Sequence, residues 1–287
     1  MKDESVERMK IIAHRGACSI APENTLAAAE KAYEAGADLW ETDVSVTRDG
    51  HLVLFHDKTL DRTTDAKTVF PGRKSYCLAE FSMEELSVLN TGEPFLNADP
   101  FGTIRKGQID PASLDAMKSV KIPTLEQGLS LTKERNWVVN LELKETVETV
   151  PPFPFVEKVV DTIRASGIPA GSVKISSFSH QWLMEIRRFM PEIEIQALIA
   201  PETVEAALDP DSPFETFNID QALIDKKMMD RLLQQGKTVN AYTVNSAKKA
   251  EKLRSLGVKS VFSDYPQVLV PLFQGKFQAW PDRETKK

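Results

Sequence analysis

"IIAHRGACSIAPENTLAAAEKAYEAGADLWETDVSVTRDGHLVLFHD", residues 11–57, decides how the chain is read. Two short apolar runs, "IIAH" (11–14) and "LWETDV" (39–44), flank a helical pattern over residues 25–35, which is a strand–helix–strand unit. After the second run, "TRDG" (47–50) is too short for a parallel crossover, which takes a dozen or more residues. Asp49-Gly50 is a hairpin signal, so residues 52–55 are expected to return antiparallel beside the second strand.

The same alternation recurs downstream. Strand-like runs are "WVVNLELK" (137–144), "VKISSF" (173–178), "EIQALI" (194–199), "TFNI" (216–219), "TVNAYTV" (238–244) and "SVFSD" (260–264). Helical patterns lie between them at 155–165, 180–190, 223–235 and 247–256, the last closed by Gly257 as a C-terminal cap. Eight strands separated by helices predict an α/β fold, a closed (β/α)₈ (TIM) barrel with the hairpin strand as an appendage. Residues 58–121 interrupt the rhythm as a long insertion between the second and third barrel strands. That insertion is rich in Gly, Pro, Asp and Lys, with one short helix marked by the capping box "SMEE" (82–85). So long a connection predicts a lid or a wall of a site. A second capping box, "TLEQ" (124–127), restarts the barrel, and "PPFPF" (151–155) is expected to shape the entrance after the third barrel strand. The whole chain, residues 1–287, reads as a single barrel domain with a polar tail at 276–287.

Composition narrows the function classes. Hydrophobic residues at 41% and charged residues at 27% are those of a globular protein with a sizeable core. A net charge of -6 argues against a broad nucleic-acid footprint. No window approaches the length of a membrane span, and "MKDESVERMK" (1–10) lacks the apolar core of a signal peptide. Cys18 and Cys77, with no metal-type spacing, indicate no disulfide framework, so a cytoplasmic location is expected.

Side chains two apart on a strand share a face, so Glu41 joins Asp43 and Glu142 joins Lys144. With His14 and Arg15 they end three neighbouring strands, where barrels keep their functional groups. Three carboxylates brought together repel unless a cation neutralises them, and oxygen ligands select a hard ion, Mg²⁺ or Ca²⁺, with Mn²⁺ as an alternative. Arg15 and Lys144 suit a phosphate; His14 and His56 suit proton exchange. The set fits metal-assisted cleavage of a phosphate ester. Phe178 and Tyr242, aromatics at strand ends, are candidate pocket walls. Lys144 also reads as an ion-pair partner of Glu142 or Glu145, Arg15 as a structural ion-pair partner, His56 as a turn cap with Asp57, Asn24 as a helix cap, and Phe178 and Tyr242 as core residues. His51 and His180 lack carboxylate neighbours at strand ends and read as surface or helix-start residues.

"AHRG" (13–16), "PENT" (22–25), "GADLWETDVSVTRDG" (36–50), "LVLFHD" (52–57) and "LDRTT" (60–64) resemble the opening motifs of the glycerophosphodiester phosphodiesterase family. "IPTLEQ", "LELK", "SSF", "YTVN" and "LGVKSVFSDYP" resemble its later ones, in order, from residue 11 to about 266. The resemblance implies a (β/α)₈ barrel that hydrolyses small-molecule glycerophosphodiesters to glycerol 3-phosphate and an alcohol. It implies His14 and His56 as the acid/base pair, Glu41, Asp43 and Glu142 as cation ligands, and Arg15 and Lys144 as phosphate contacts. Two departures stand out: Tyr242 where many members carry Trp, and "DAKTVFPGRK" (65–74) in place of a Gly-rich turn. Two alternatives share these residues: a phospholipase-like phosphodiesterase or lyase acting on lysolipids or phosphoinositides, and a catalytically silent phosphate-binding barrel.

Overall fold

The computed structural model describes residues 8–144 and 153–274, so Pro151, Pro152 and the polar tail lie outside the described residues. Its strands are β1 (Lys10–Ala13), β2 (Leu39–Val46), β3 (Leu52–Leu54), β4 (Val139–Leu143), β5 (Val173–Ser177), β6 (Glu194–Ile199), β7 (Thr216–Asp220), β8 (Thr238–Tyr242) and β9 (Ser260–Ser263). Each of the eight barrel strands pairs in parallel with its neighbours, and β1 closes the ring by pairing with both β9 and β2. The hairpin strand β3 runs antiparallel along the end of β2, Val44 opposite Leu54. Closed barrel and hairpin both follow the sequence pattern.

Helix α1 (Leu26–Glu34) links β1 to β2. The insertion holds α2 (Ala66–Val69), α3 (Met83–Ser87), α4 (Gly92–Ala98), α5 (Pro111–Met117) and a 3₁₀ turn, Leu78–Glu80. The sequence pattern gave only one helix there, because segments of four to seven residues carry too few turns for a 3.6-residue period to emerge. Their apolar residues form two clusters of their own. Phe81, Leu86 and Leu89 pack on Val53 and Phe55 beside the hairpin, while Phe95, Ile109 and Met117 pack on Ala21 and Ala28. The outer ring continues with α6 (Leu125–Glu134), α7 (Phe155–Ser166), α8 (His180–Phe189), α9 (Val204–Leu208), α10 (Lys226–Gln234), α11 (Ala247–Ser255) and α12 (Pro266–Phe273). Among the described residues no helix is long and apolar enough to cross a membrane.

The main apolar core lies between the outer barrel wall and this ring. Buried Trp40 donates from Nε1 to Thr132 Oγ1 at 2.9 Å, one turn along α6 from Gly128, whose missing side chain leaves room for Leu54 of β3 and the Trp40 ring. Inside the barrel, Ile12, Leu39 and Phe262 fill one side. The other is a ladder of amides. Asn240 donates to Asn218 at 2.9 Å, Asn218 and Asn140 donate to Gln196 Oε1 at 3.0 and 2.8 Å, and Gln196 donates to Glu194 at 2.6 Å. These bonds identify the lumen face, so residues two further along each strand (Glu142, Asp220, Tyr242) face the lumen at its C-terminal mouth.

The turn after β1 has a tight backbone constraint. Gly16 sits at φ +78°, and a Cβ there would lie 2.6 Å from the Ala28 carbonyl carbon. Gly16→Ala is expected to cost about 2–3 kcal/mol, read as a lower urea midpoint at unchanged slope. A midpoint equal to that of the unsubstituted chain would contradict this packing.

Candidate active site

The site begins with backbone geometry. His14 N–H donates to Ser263 O at 3.0 Å, which carries the β1–β9 pairing to the mouth of the barrel. Arg15 then turns into the left-handed region at φ +53°, and its amide donates to Glu41 Oε2 at 2.8 Å. Asn24, also left-handed at φ +56°, is buried behind this turn. Its Nδ2 donates to Asp43 Oδ2 at 2.8 Å, and its Oδ1 accepts from Asp43 N–H at 3.0 Å and Thr42 Oγ1 at 2.8 Å. The cap of α1 is Thr25, not Asn24: Thr25 Oγ1 accepts from Ala28 N–H. A short polar side chain beside a helix start is ambiguous in sequence, and here Asn24 orients Asp43.

Glu41 and Asp43 on β2 and Glu142 on β4 bring one carboxylate oxygen each within 4.8 Å of the others. Asp43 and Glu142 are register partners. Glu41 Oε1 and Asp43 Oδ1 are buried without a hydrogen bond. Burial, then the charges of Asp43 and Glu142, pushes the Glu41 carboxyl well above its usual range. Burial and the charge of Asp43 also push Glu142 up, against Lys144. Burial works against ionised Asp43 too, but the charges of Arg15, Lys144 and His56 outweigh it and hold Asp43 down at about 2. The cluster thus holds two buried oxygens without a hydrogen bond, Glu41 Oε1 and Asp43 Oδ1. An all-oxygen donor set of this kind fits a hard divalent cation.

The expected phosphate contacts are drawn into the same balance. Lys144 Nζ lies 2.7 Å from Glu142 and 3.5 Å from Asp43, the ion pair expected with Glu142, while Glu145 lies outside the described residues. Arg15 donates from Nη1 to Glu23 at 2.8 Å and holds Nε 3.4 Å from Asp43. Both cations stand beside the carboxylates, each ion-paired with an acidic side chain.

Each histidine is backed by a carboxylate. His14 Nδ1 lies 2.6 Å from Asp264 Oδ1, and His56 Nδ1 lies 2.7 Å from Asp57 Oδ1. That pairing sets an Nδ1 proton against each carboxylate and leaves Nε2 as the ring nitrogen chemically open to proton exchange. Asp264 also accepts from Asn245 Nδ2 at 2.6 Å and from Cys18 Sγ at 3.2 Å. Phe55 N–H donates to Asp43 O at 2.9 Å, which sets His56 at the height of the acidic trio, as the hairpin reading required. Phe178 and Tyr242 meet edge to face, centroids 6.3 Å apart. Phe178 is 37% exposed and Tyr242 donates its hydroxyl to Ile199 O at 2.7 Å, so the pair presents ring surface at the mouth. His51 is an exposed neighbour of Asp49, and His180 opens α8, its Nε2 3.1 Å from Leu198 O.

Sequence reasoning left Glu23 and Arg62 without roles and read Asp57 only as a turn partner of His56, although each lies inside a quoted motif. Their function is relational: only the fold shows which side chain each one grips.

The model of the glycerophosphoryl diester phosphodiesterase family matches residues 14–268. A glycerophosphodiester phosphodiesterase of Bacillus altitudinis is 31% identical over 271 residues, spanning 92% of this chain and 97% of its own. One from Caldanaerobacter subterraneus subsp. tengcongensis is 30% identical over 269 residues, spanning 91% and 96%. A solved Oleispira antarctica phosphodiesterase in complex with its product sn-glycerol-3-phosphate superposes with a TM-score of 0.74 at 26% identity, covering 93% of this chain and 97% of that one.

Electrostatics of the trio yields a pH prediction. Glu41 binds its proton more tightly folded than unfolded, so without a cation its contribution to stability declines as pH rises above 4.5. Cation binding needs ionised carboxylates and strengthens over the same direction. The gap in melting temperature between Mg²⁺-loaded and chelated protein should widen from about pH 5 to about pH 8. Glu41→Gln should raise the chelated protein's melting temperature by a few degrees and collapse that gap. A gap independent of pH would contradict the shared charge described here.

Proposed function

Because the chain belongs to the glycerophosphoryl diester phosphodiesterase family, we propose that it hydrolyses glycerophosphodiesters to glycerol 3-phosphate and an alcohol. The observation that carries this reading is the pairing of two carboxylate-backed imidazoles with a trio of clustered carboxylates at one barrel mouth.

Glu41, Asp43 and Glu142 would hold one divalent cation, Mg²⁺ or Ca²⁺, with Mn²⁺ as an alternative. When bound, that cation supplies Lewis-acid polarisation of a non-bridging phosphate oxygen. Arg15 and Lys144 orient the phosphate and offset the charge that gathers on its oxygens in the transition state. Nε2 of one histidine takes the proton of the attacking hydroxyl, from water directly or from the glycerol 2-position, in which case a cyclic phosphate forms and water then opens it to glycerol 3-phosphate. Nε2 of the other gives a proton to the departing alcohol oxygen as the P–O bond breaks. The Nδ1 contacts with Asp57 and Asp264 keep both rings in the tautomers this exchange requires. Phe178 and Tyr242 form the wall against the carbon skeleton of the glycerol or the alcohol.

His14→Ala and His56→Ala should each lower kcat by about 10²–10⁴-fold on glycerophosphocholine, followed by coupled detection of glycerol 3-phosphate. Chelation should abolish turnover and Mg²⁺, Ca²⁺ or Mn²⁺ restore it. Variants within a few-fold of wild type would sink the two-histidine mechanism. Faster cleavage of a long-chain lysolipid than of glycerophosphocholine would move the substrate class to lipids, and inertness with all three cations would leave a phosphate-binding barrel. Phosphorus NMR during turnover tests the nucleophile: a cyclic phosphate signal assigns it to the 2-hydroxyl.

A further inference from the structure

We infer that Arg62 is a positioning residue for this reaction: through Asp57 it fixes the imidazole of His56, and through Glu23 it ties that histidine's loop to the Arg15 turn. The inference rests on the hydrolase reading above and extends it to a side chain outside the acid/base and cation-binding sets.

Arg62 grips two carboxylates at once. Nε and Nη2 donate to Asp57 at 2.6 and 2.9 Å, and Nη1 and Nη2 donate to Glu23 at 2.7 and 2.7 Å. A guanidinium has five N–H donors in a rigid plane, and these contacts spend four of them. Little donor capacity remains for a phosphate, although Arg62 is 50% exposed on the rim. What it holds is functional. Asp57 Oδ1, gripped by Nη2, is the atom that faces His56 Nδ1, and Glu23 Oε1, gripped by the same Nη2, also accepts from Arg15 Nη1 at 2.8 Å. The result is one hydrogen-bonded chain running His56, Asp57, Arg62, Glu23, Arg15. Burial raises the Asp57 carboxyl, but the hydrogen bonds from His56 and Arg62 outweigh it and hold that group well below its usual range. Glu23 is held low in the same way, chiefly by Arg62 against its own burial.

The two histidines differ in this respect. Asp264, behind His14, is fixed by Asn245, Cys18 and its own backbone N–H, which donates to Asn245 Oδ1 at 2.9 Å. Asp57 lies on the loop after β3, and Arg62 supplies its planar clamp. A lysine, with one compact ammonium, can bridge two carboxylates at a point but cannot clamp each of them with two bonds from a rigid plane.

The test uses the full chain with Arg62→Ala and Arg62→Lys. Arg62→Ala should lower kcat by about 100-fold, the scale of a misplaced catalytic group, with KM changed less than about threefold. Guanidinium ion added to Arg62→Ala should recover part of the loss, and Arg62→Lys should recover less than a tenth of it. Nitrogen and proton NMR of the wild type should show the His56 ring protonated at Nδ1 in a low-field resonance that Arg62→Ala removes. A raised KM at unchanged kcat would make Arg62 a substrate contact and overturn the inference. So would an unaltered kcat, or a kcat loss that follows melting temperature while the His56 resonance persists. Should the wild type turn over no glycerophosphodiester while Arg62→Ala still erases that resonance, the positioning role stands and the hydrolase reading fails.

Discussion

Like-charge repulsion in a buried place is the constraint around which this molecule is arranged. Glu41, Asp43 and Glu142 are withdrawn from water and held close enough that ionising one opposes ionising the next. Mutual repulsion would drive them apart if they stood on loops. They stand instead on the adjacent strands β2 and β4, locked at matched height by the ladder of a closed barrel. Local cations and two amides limit the strain: Arg15 and Lys144 face Asp43, the Asn24 side chain anchors it, and the Arg15 N–H secures Glu41. The folding energy of the barrel thus maintains an acidic centre that its own charges disfavour, which prepares it for an ion of opposite sign.

Around that centre the chain builds in shells. Strand ends supply the groups facing the centre. Loops supply the residues that orient them, Asp264 behind His14 and Asp57 behind His56. The insertion packs its own apolar clusters against the hairpin and α1, so the loop bearing His56 and Arg62 is backed by Leu60, Phe81 and Leu89 instead of hanging in solvent. A segment whose composition reads as an irregular connection is therefore a wall beside the His56 loop.

Much of this was legible because strands announce themselves by short apolar runs, and two-residue periodicity then places Glu41 with Asp43 and Glu142 with Lys144. The hairpin was legible from Asp49-Gly50, since so short a link forbids a crossover. Other features left no periodic trace. The short helices of the insertion span only a turn or two. Asn24 carries a residue type that equally serves as a cap, and the difference lies in a left-handed backbone angle that sequence does not display. Arg62 and Glu23 are far apart in the chain, and their meeting depends on how two loops converge over the mouth. Sequence names the groups that do chemistry more readily than the groups that hold them still.

The amide ladder in the lumen has a consequence for how such a barrel can change over time. Asn140, Gln196, Asn218 and Asn240 answer one another, and Gln196 ends on Glu194, itself paired with Lys174. Replacing any one by an aliphatic residue strands its neighbour's buried polar atom, whereas replacing several together can leave a sound oily filling. Drift there is epistatic: steps that are harmful singly are tolerable in concert. The barrel's interior should therefore persist in blocks across its lineage, polar as a set or greasy as a set, while the helices outside it vary one position at a time.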